Sequence, residues 1–193
     1  MGLSKKMNID INSIINDHLR TIEKLLDDKI VIEQICSIAL STIQKGNTIL
    51  LCGNGGSASD SIHISSEIVG KFEKKRKALP SISLTANQAD LTAIANDFGF
   101  EHIFSRQIEA IGKKGDLLIA ISTSGNSMNI VKAIEAAKSK KMEVIIFTGK
   151  DGGKINSFNN CTKLKVQTDN VARIQEAHIL IGHIISKYIE ENI

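Results

Sequence analysis

Two stretches of the chain concentrate groups that could hold an anion. Residues 51–60 read LCGNGGSASD and residues 119–129 read IAISTSGNSMN; each is a short apolar run, a Gly/Ser-rich turn and the start of a helix. In the first, Gly53, Gly55 and Gly56 let the backbone turn tightly and approach a ligand without Cβ clashes. Ser57 and the first amides of the following helix then face that ligand with unpaired donors. In the second, Ser122, Thr123, Ser124 and Ser127 set four hydroxyls around a helix start. Hydroxyl and amide donors converging with a helix dipole suit a phosphate monoester. Capping alone would need one such hydroxyl. Neither turn contains Lys or Arg, so neutral donors would do the holding.

Other readings of these turns are weaker. Gly53, Gly55 and Ala58 fit the dinucleotide pattern G-x-G-x-x-A, but the next strand ends Leu84-Thr85-Ala86-Asn87, without the acidic residue that would hold a ribose. No Gly-Lys-Ser/Thr follows, which excludes a P-loop. Beyond the first turn, His63 and Glu67 stand four apart and share one helix face. That spacing suits a pair of metal ligands, but taken alone it favours a surface hydrogen bond. Near the C-terminus, Gln175, His178 and His183 lie on an apolar helix, where a histidine is commonly a satisfied core residue; His178 is the candidate for that role.

The elements that must position these groups follow from periodicity. Ile11, Ile14, Ile15, Leu19, Ile22, Leu25 and Leu26 recur at helical spacing, and a second stripe runs through Ile32, Ile35, Ile38, Ala39 and Ile43 to a Gly46-Asn47 stop. Short apolar runs at 48–52, 81–84, 116–121, 144–147 and 164–166 then alternate with helical segments at 58–72, 90–95 with 103–111, 128–140 and 171–190. Strands apolar on both faces and separated by helices predict a parallel sheet covered on both sides. The predicted fold is α/β, a three-layer doubly wound sheet of about five strands with an N-terminal helical hairpin.

With 193 residues, the chain fits one domain, in which 1–46 supply N-terminal helices and 47–193 the α/β core and last helix. The absence of any long apolar run predicts no membrane span. Its opening MGLSKKMNID lacks the apolar segment of a secretory signal. Net charge is +3, and with no Trp and one Tyr a base-stacking nucleic-acid surface is not expected. The one dense basic run, Lys74-Lys75-Arg76-Lys77, reads as a solvated loop. Cys36, Cys52 and Cys161 lie far apart without a Cys-x-x-Cys pair, which fits a reducing cytoplasm rather than a disulfide framework; Cys36 and Cys52, in apolar runs, read as buried thiols.

Four motifs together resemble the sugar isomerase (SIS) domain. They are Cys52-Gly53-Asn54-Gly55-Gly56-Ser57-Ala58, Asn96-Asp97-Phe98-Gly99-Phe100, Ile121-Ser122-Thr123-Ser124-Gly125-Asn126-Ser127 and Arg173-Ile174-Gln175-Glu176-Ala177-His178. The second and fourth narrow the likeness to the phosphoheptose isomerase branch, over nearly the whole chain. The resemblance implies conversion of sedoheptulose 7-phosphate to glycero-manno-heptose 7-phosphate through an enediol, in a homotetramer assembled through the N-terminal helices. It implies Glu67 and His183 as acid/base residues, and zinc bound by His63, Glu67, Gln175 and His183. Gly55, Gly56, Ser57, Glu67, Asn96, Asp97, Ser122, Thr123, Ser124, Ser127 and Gln175 are its implied substrate contacts. Two other uses of the fold are weighed: a non-catalytic relative that binds a replication initiator or another protein, and a sugar-phosphate sensor. The presence of both Glu67 and His183 favours the enzyme, and no extra segment of DNA-binding size accompanies the domain.

Overall fold

A computed structural model describes residues 9–193; the opening segment read above for a signal lies largely outside them. The elements run α1 (Ile11–Glu23), α2 (Lys29–Gln44), β1 (Ile49–Gly53), α3 (Gly56–Val69), β2 (Ser81–Ser83), α4 (Gln88–Phe98), α5 (Ser105–Ile111), β3 (Leu117–Ser122), α6 (Met128–Ser139), β4 (Glu143–Gly149), β5 (Thr162–Val166) and α7 (Val171–Glu191). All strands are parallel, in the order β2-β1-β3-β4-β5. The doubly wound sheet is thus as expected, with boundaries shifted by a few residues. The segment expected to run from 58 to 72 starts earlier and stops at Val69. Gly99, at φ +95°, separates α4 from the short turn Phe100–His102 that leads to α5.

Alternation along the strands sorts the core into two layers. Ile49, Leu51, Leu117, Ile119, Ile121, Ile145 and Phe147 pack under α2, α3 and α7. Leu50, Cys52, Leu118, Ala120, Val144 and Ile146 pack under α5 and α6. β1 and β3 are buried along their whole length. Each Leu or Ile so covered contributes about 1.5–3 kcal/mol relative to exposure.

The N-terminal helices divide differently from the expected hairpin. α2 belongs to the core, with Ile35, Cys36, Ala39 and Ile43 at most 7% exposed. Only α1 leaves its stripe open, with Ile11 51%, Ile14 45%, Ile15 51% and Leu19 57% exposed. α1 is tied to the start of α7 by polar contacts: Arg173 donates to the Ile14 carbonyl, while His18 and Arg173 both engage the Glu176 carboxylate. Glu176 is held below its usual carboxylate range, since these hydrogen bonds outweigh the effect of its burial. Asn170, which caps α7, also donates to Asp17.

α3 and α7 run side by side, in parallel and in step. Gly56 meets Gln175 at one end and Ile64 meets Gly182 further along; a Cβ on Gly182 would lie 2.4 Å from Ile64 side-chain atoms. The small residue lets the two helices approach closely.

His178, fully buried on α7, is the expected core histidine. Its Nε2 donates to the Thr148 carbonyl at 3.2 Å, and its ring lies against Phe147. Burial pushes its imidazole from the ordinary 6.5 down to about 4. The group is therefore neutral in both states above pH 6.5. Below that value the unfolded chain takes a proton that the folded chain refuses, so stability falls toward pH 4. Urea unfolding should show a loss on the order of 1–2 kcal/mol between about pH 7 and pH 5 from this group. A His178→Gln variant should lose less over the same window; equal losses would reject the assignment.

Candidate active site

β1 and β3 are neighbours, yet α3 leaves β1 toward one face of the sheet and α6 leaves the β3 side toward the other. The two turns therefore flank one crevice at the carboxyl ends of the strands, where open α/β sheets bind ligands. A cleft of about 60 Å³ lies there, lined by Asn54, Ser57, Ile121, Ser122, Thr123, Ser124, Ser127 and Gln175. Both expected phosphate turns thus meet at one place. Ser57 and Ser122 are 3% and 5% exposed, buried enough for their hydroxyls to be held in place.

Capping does not account for the hydroxyls. Side chains of Asp10, Asn87 and Asn170 cap α1, α4 and α7, whereas neither Gly55 before α3 nor Ser127 before α6 makes a side-chain cap. Two helix N-termini therefore face the cleft without a side-chain acceptor. The second turn is braced from behind. Gly125, at φ +65°, abuts the Gly152 carbonyl, where a Cβ would lie 1.9 Å away. The Gly125 carbonyl also accepts the Ile155 amide.

Sequence reading missed the link between the turns. Asn54 and Asn129 exchange a reciprocal pair of amide hydrogen bonds of 2.9 and 2.8 Å. Asn129 is 2% exposed in the first turn of α6, so this pair fixes the distance between the two loops. The doubled Asn was the available signal, one in each motif.

Further along α3 and α7 lies the second cluster. Glu67 Oε1 is 3.2 Å from His63 Nε2 and 3.4 Å from His183 Nε2, and the two imidazoles meet edge to face at 5.2 Å. Glu67 is largely buried, and its Oε2 is buried without a hydrogen-bond partner. The ligand atoms of His63, Glu67 and His183 all lie within 4.8 Å of one another. Two imidazoles and a carboxylate with one position left open are a donor set that suits zinc. Gln175, the fourth residue expected at the metal, sits two turns before His183 on α7, in the cleft against Gly56.

Asp60, one turn before His63, is a further site residue that sequence reading passed over. Burial raises its carboxyl to about 6 against the opposing pull of His63 and His183, and its Oδ2 is buried without a partner. Its position three residues before His63 was the signal.

Asn96 and Asp97 do not join either cluster within one chain. Both are exposed on α4, with the Asn96 amide donating to Asp97. Asp97 instead borders a broad concavity of about 960 Å³ between the β2 edge, α4 and α5. That hollow is lined by Ile82, Ala93, Ile94 and Phe98 together with Asn87, Arg106 and Gln107; Arg106 stacks over the Phe98 ring at 3.7 Å, and Gln107 is tied to the Leu84 and Ile103 carbonyls. The small polar cleft is the better candidate for chemistry.

The architecture and the paired turns define a sugar-phosphate-binding class of α/β protein, and the chain belongs to the SIS domain family, whose model matches residues 13–149. Within it the chain groups with the phosphoheptose isomerases. It is 48% identical to the phosphoheptose isomerase of Clostridium acetobutylicum, over 95% of this chain and 94% of that one. The corresponding protein of Aneurinibacillus thermoaerophilus is 47% identical over 97% and 96% of the two chains. The solved structure of a phosphoheptose isomerase from Neisseria gonorrhoeae superposes with a TM-score of 0.86 at 39% identity, covering 94% of this chain and 97% of that one.

The cleft makes a direct prediction. A Ser124→Asp variant places a carboxylate among donors arranged for an anion, so it should bind inorganic phosphate and sugar phosphate far more weakly. Titration calorimetry reads this, and unchanged affinity would remove Ser124 from the site.

Proposed function

We propose that this protein interconverts sedoheptulose 7-phosphate and D-glycero-D-manno-heptose 7-phosphate, the first step toward nucleotide-activated heptose for bacterial surface polysaccharide. The observation that carries the reading is the convergence of His63, Glu67 and His183 on helices whose other ends frame the anion cleft. The phosphate rests on Ser57, Ser122, Ser124 and Ser127 at the N-termini of α3 and α6, with Gln175 beside it. That anchoring directs the far end of the sugar toward Glu67.

Aldose–ketose isomerisation moves a proton between C1 and C2 through an enediol. Glu67 takes the proton from one carbon and returns it to the other, and His183 moves a proton between the two oxygens. Zinc bound by His63, Glu67 and His183 would supply a positive charge that polarises the substrate oxygens. The His63 and His183 side chains are partly exposed, so the cluster borders solvent on the side of the imidazoles. Asn96 and Asp97, outside the cleft of one chain, have a sugar-contacting role in this reading only within the tetramer.

The open apolar stripe of α1 is the surface for that assembly. An apolar patch of this kind is buried between copies far more often than left in water. The enzyme acts in the cytoplasm, where Cys36, Cys52 and Cys161 stay as free thiols.

Three measurements test the reading. Glu67→Gln keeps shape but removes the base, so turnover should fall by about 10²–10⁴-fold while sugar phosphate still binds; full activity would exclude Glu67 as the base. Running the wild-type reaction in deuterated water should also place deuterium on the carbon that receives the proton. Native mass spectrometry should find a tetramer that carries zinc, with the metal lost and the tetramer kept in His63→Ala. A stable monomer would contradict the α1 assignment, and equal zinc in both proteins would contradict the metal site.

A further inference from the structure

The basic run expected to be a solvated loop contains one residue that is not solvated. Lys74, Lys75 and Lys77 are exposed, but the Arg76 side chain is 9% exposed and pairs with Glu190 at 3.4 Å. Glu190 lies in the last turn of α7, with a side chain 3% exposed. A buried carboxylate there is costly twice over, through lost hydration and through the negative end of the helix dipole. The loop after α3 offsets that cost. Glu190 Oε1 accepts the Phe72 amide at 2.9 Å, and Oε2 accepts the Glu73 and Lys74 amides, both at 2.7 Å. Three successive amides wrapped on one carboxylate form an anion nest. Burial raises the carboxyl's proton affinity, and these hydrogen bonds with Arg76 more than reverse it, so the group stays charged.

What the nest holds matters more than the nest. The Phe72 ring lies 5.8 Å from the His183 ring, forming a wall beside it. Arg76 donates from its other nitrogens to the carbonyls of Glu67 at 2.7 Å and Lys77 at 3.0 Å. The same loop thus braces the backbone of the proposed base and the ring of its partner. Removing the Glu190 anchor frees both contacts, while the phosphate cleft lies at the opposite end of α3 and α7.

We propose that Glu190 is a positioning residue for the isomerisation: it anchors the loop at residues 70–77 so that Phe72 and Arg76 hold His183 and Glu67 in reacting geometry. The proposal rests on the reading that Glu67 and His183 move the protons. Glu190 itself touches no reacting atom.

Steady-state isomerisation of sedoheptulose 7-phosphate by Glu190→Gln tests it. Outer partners of catalytic groups are typically worth about 10–100-fold, so kcat should fall by that much. KM should stay near the wild-type value, because the phosphate anchor is untouched. A general loosening of the fold would instead move both constants, and that result, or an unchanged kcat, overturns the proposal. Should Glu190→Gln fail to fold, Phe72→Ala gives the same reading with the anchor intact: kcat lowered at constant KM supports it, and unchanged kcat overturns it. Glu67→Gln separates the two levels. If that variant remains active, the assignment of the base has failed; if it is inactive while Glu190→Gln turns over normally, only the positioning role has failed.

Discussion

The constraint on which the rest depends is that two adjacent parallel strands send their helices to opposite faces of the sheet. β1 is followed by α3 on the α7 side, and β3 by α6 on the other. The turns cannot pack against each other over the strand ends, so they part and leave a crevice. Each turn opens a helix whose first amides have no side-chain cap. An anion placed between them satisfies donors from both, which gives the crevice a chemical preference before any particular substrate is considered. The reciprocal Asn54–Asn129 amide pair then fixes the gap between the turns.

From that crevice α3 and α7 run outward in step, and their contact sets the second half of the site. Gly182 lets α7 approach Ile64 closely, which brings His183 onto the same oxygen of Glu67 that His63 faces. Since Gln175 and His183 are eight residues apart on one helix, roughly 12 Å separates the proposed phosphate end from the proposed reacting end. In a heptose 7-phosphate the phosphate and the reacting C1–C2 pair also lie at opposite ends of the molecule. In the proposed reaction two rigid helices would hold both ends at once, which is more exacting than placing either group on a loop.

Much of this was legible in the sequence. The five apolar runs gave the sheet, and the Gly/Ser turns gave the cleft, because strand period and glycine-rich helix starts are local properties. The i, i+4 spacing put His63 and Glu67 on one face, but only the packing of α7 shows that His183 completes the set. Long-range pairings left no local trace: Arg76 looked solvated because its partner, Glu190, lies 114 residues further along the chain. The N-terminal stripes looked alike, yet α2 is core and α1 is not, a distinction made by the sheet surface near β5 and not by either helix. Gln175 shows the same limit. Its position on α7 was clear, but its place against Gly56 depends on the register of two helices distant in sequence.

The division between a neutral cleft and an ionisable cluster has an electrostatic reason. Ser57 and Glu67 are ten residues apart on α3, about 15 Å. A lysine in the cleft would act on Glu67 across that distance with about 1 kcal/mol at an effective dielectric near 20. That is most of a pKa unit, in the direction that weakens a carboxylate as a base. Hydroxyls and backbone amides would hold the phosphate with dipoles whose fields fall off faster with distance. They would anchor the substrate without adding a further positive charge to the field at Glu67, whose proton affinity any zinc held there already lowers, and this argues for the serine-rich turns where a basic residue would have bound the phosphate more simply.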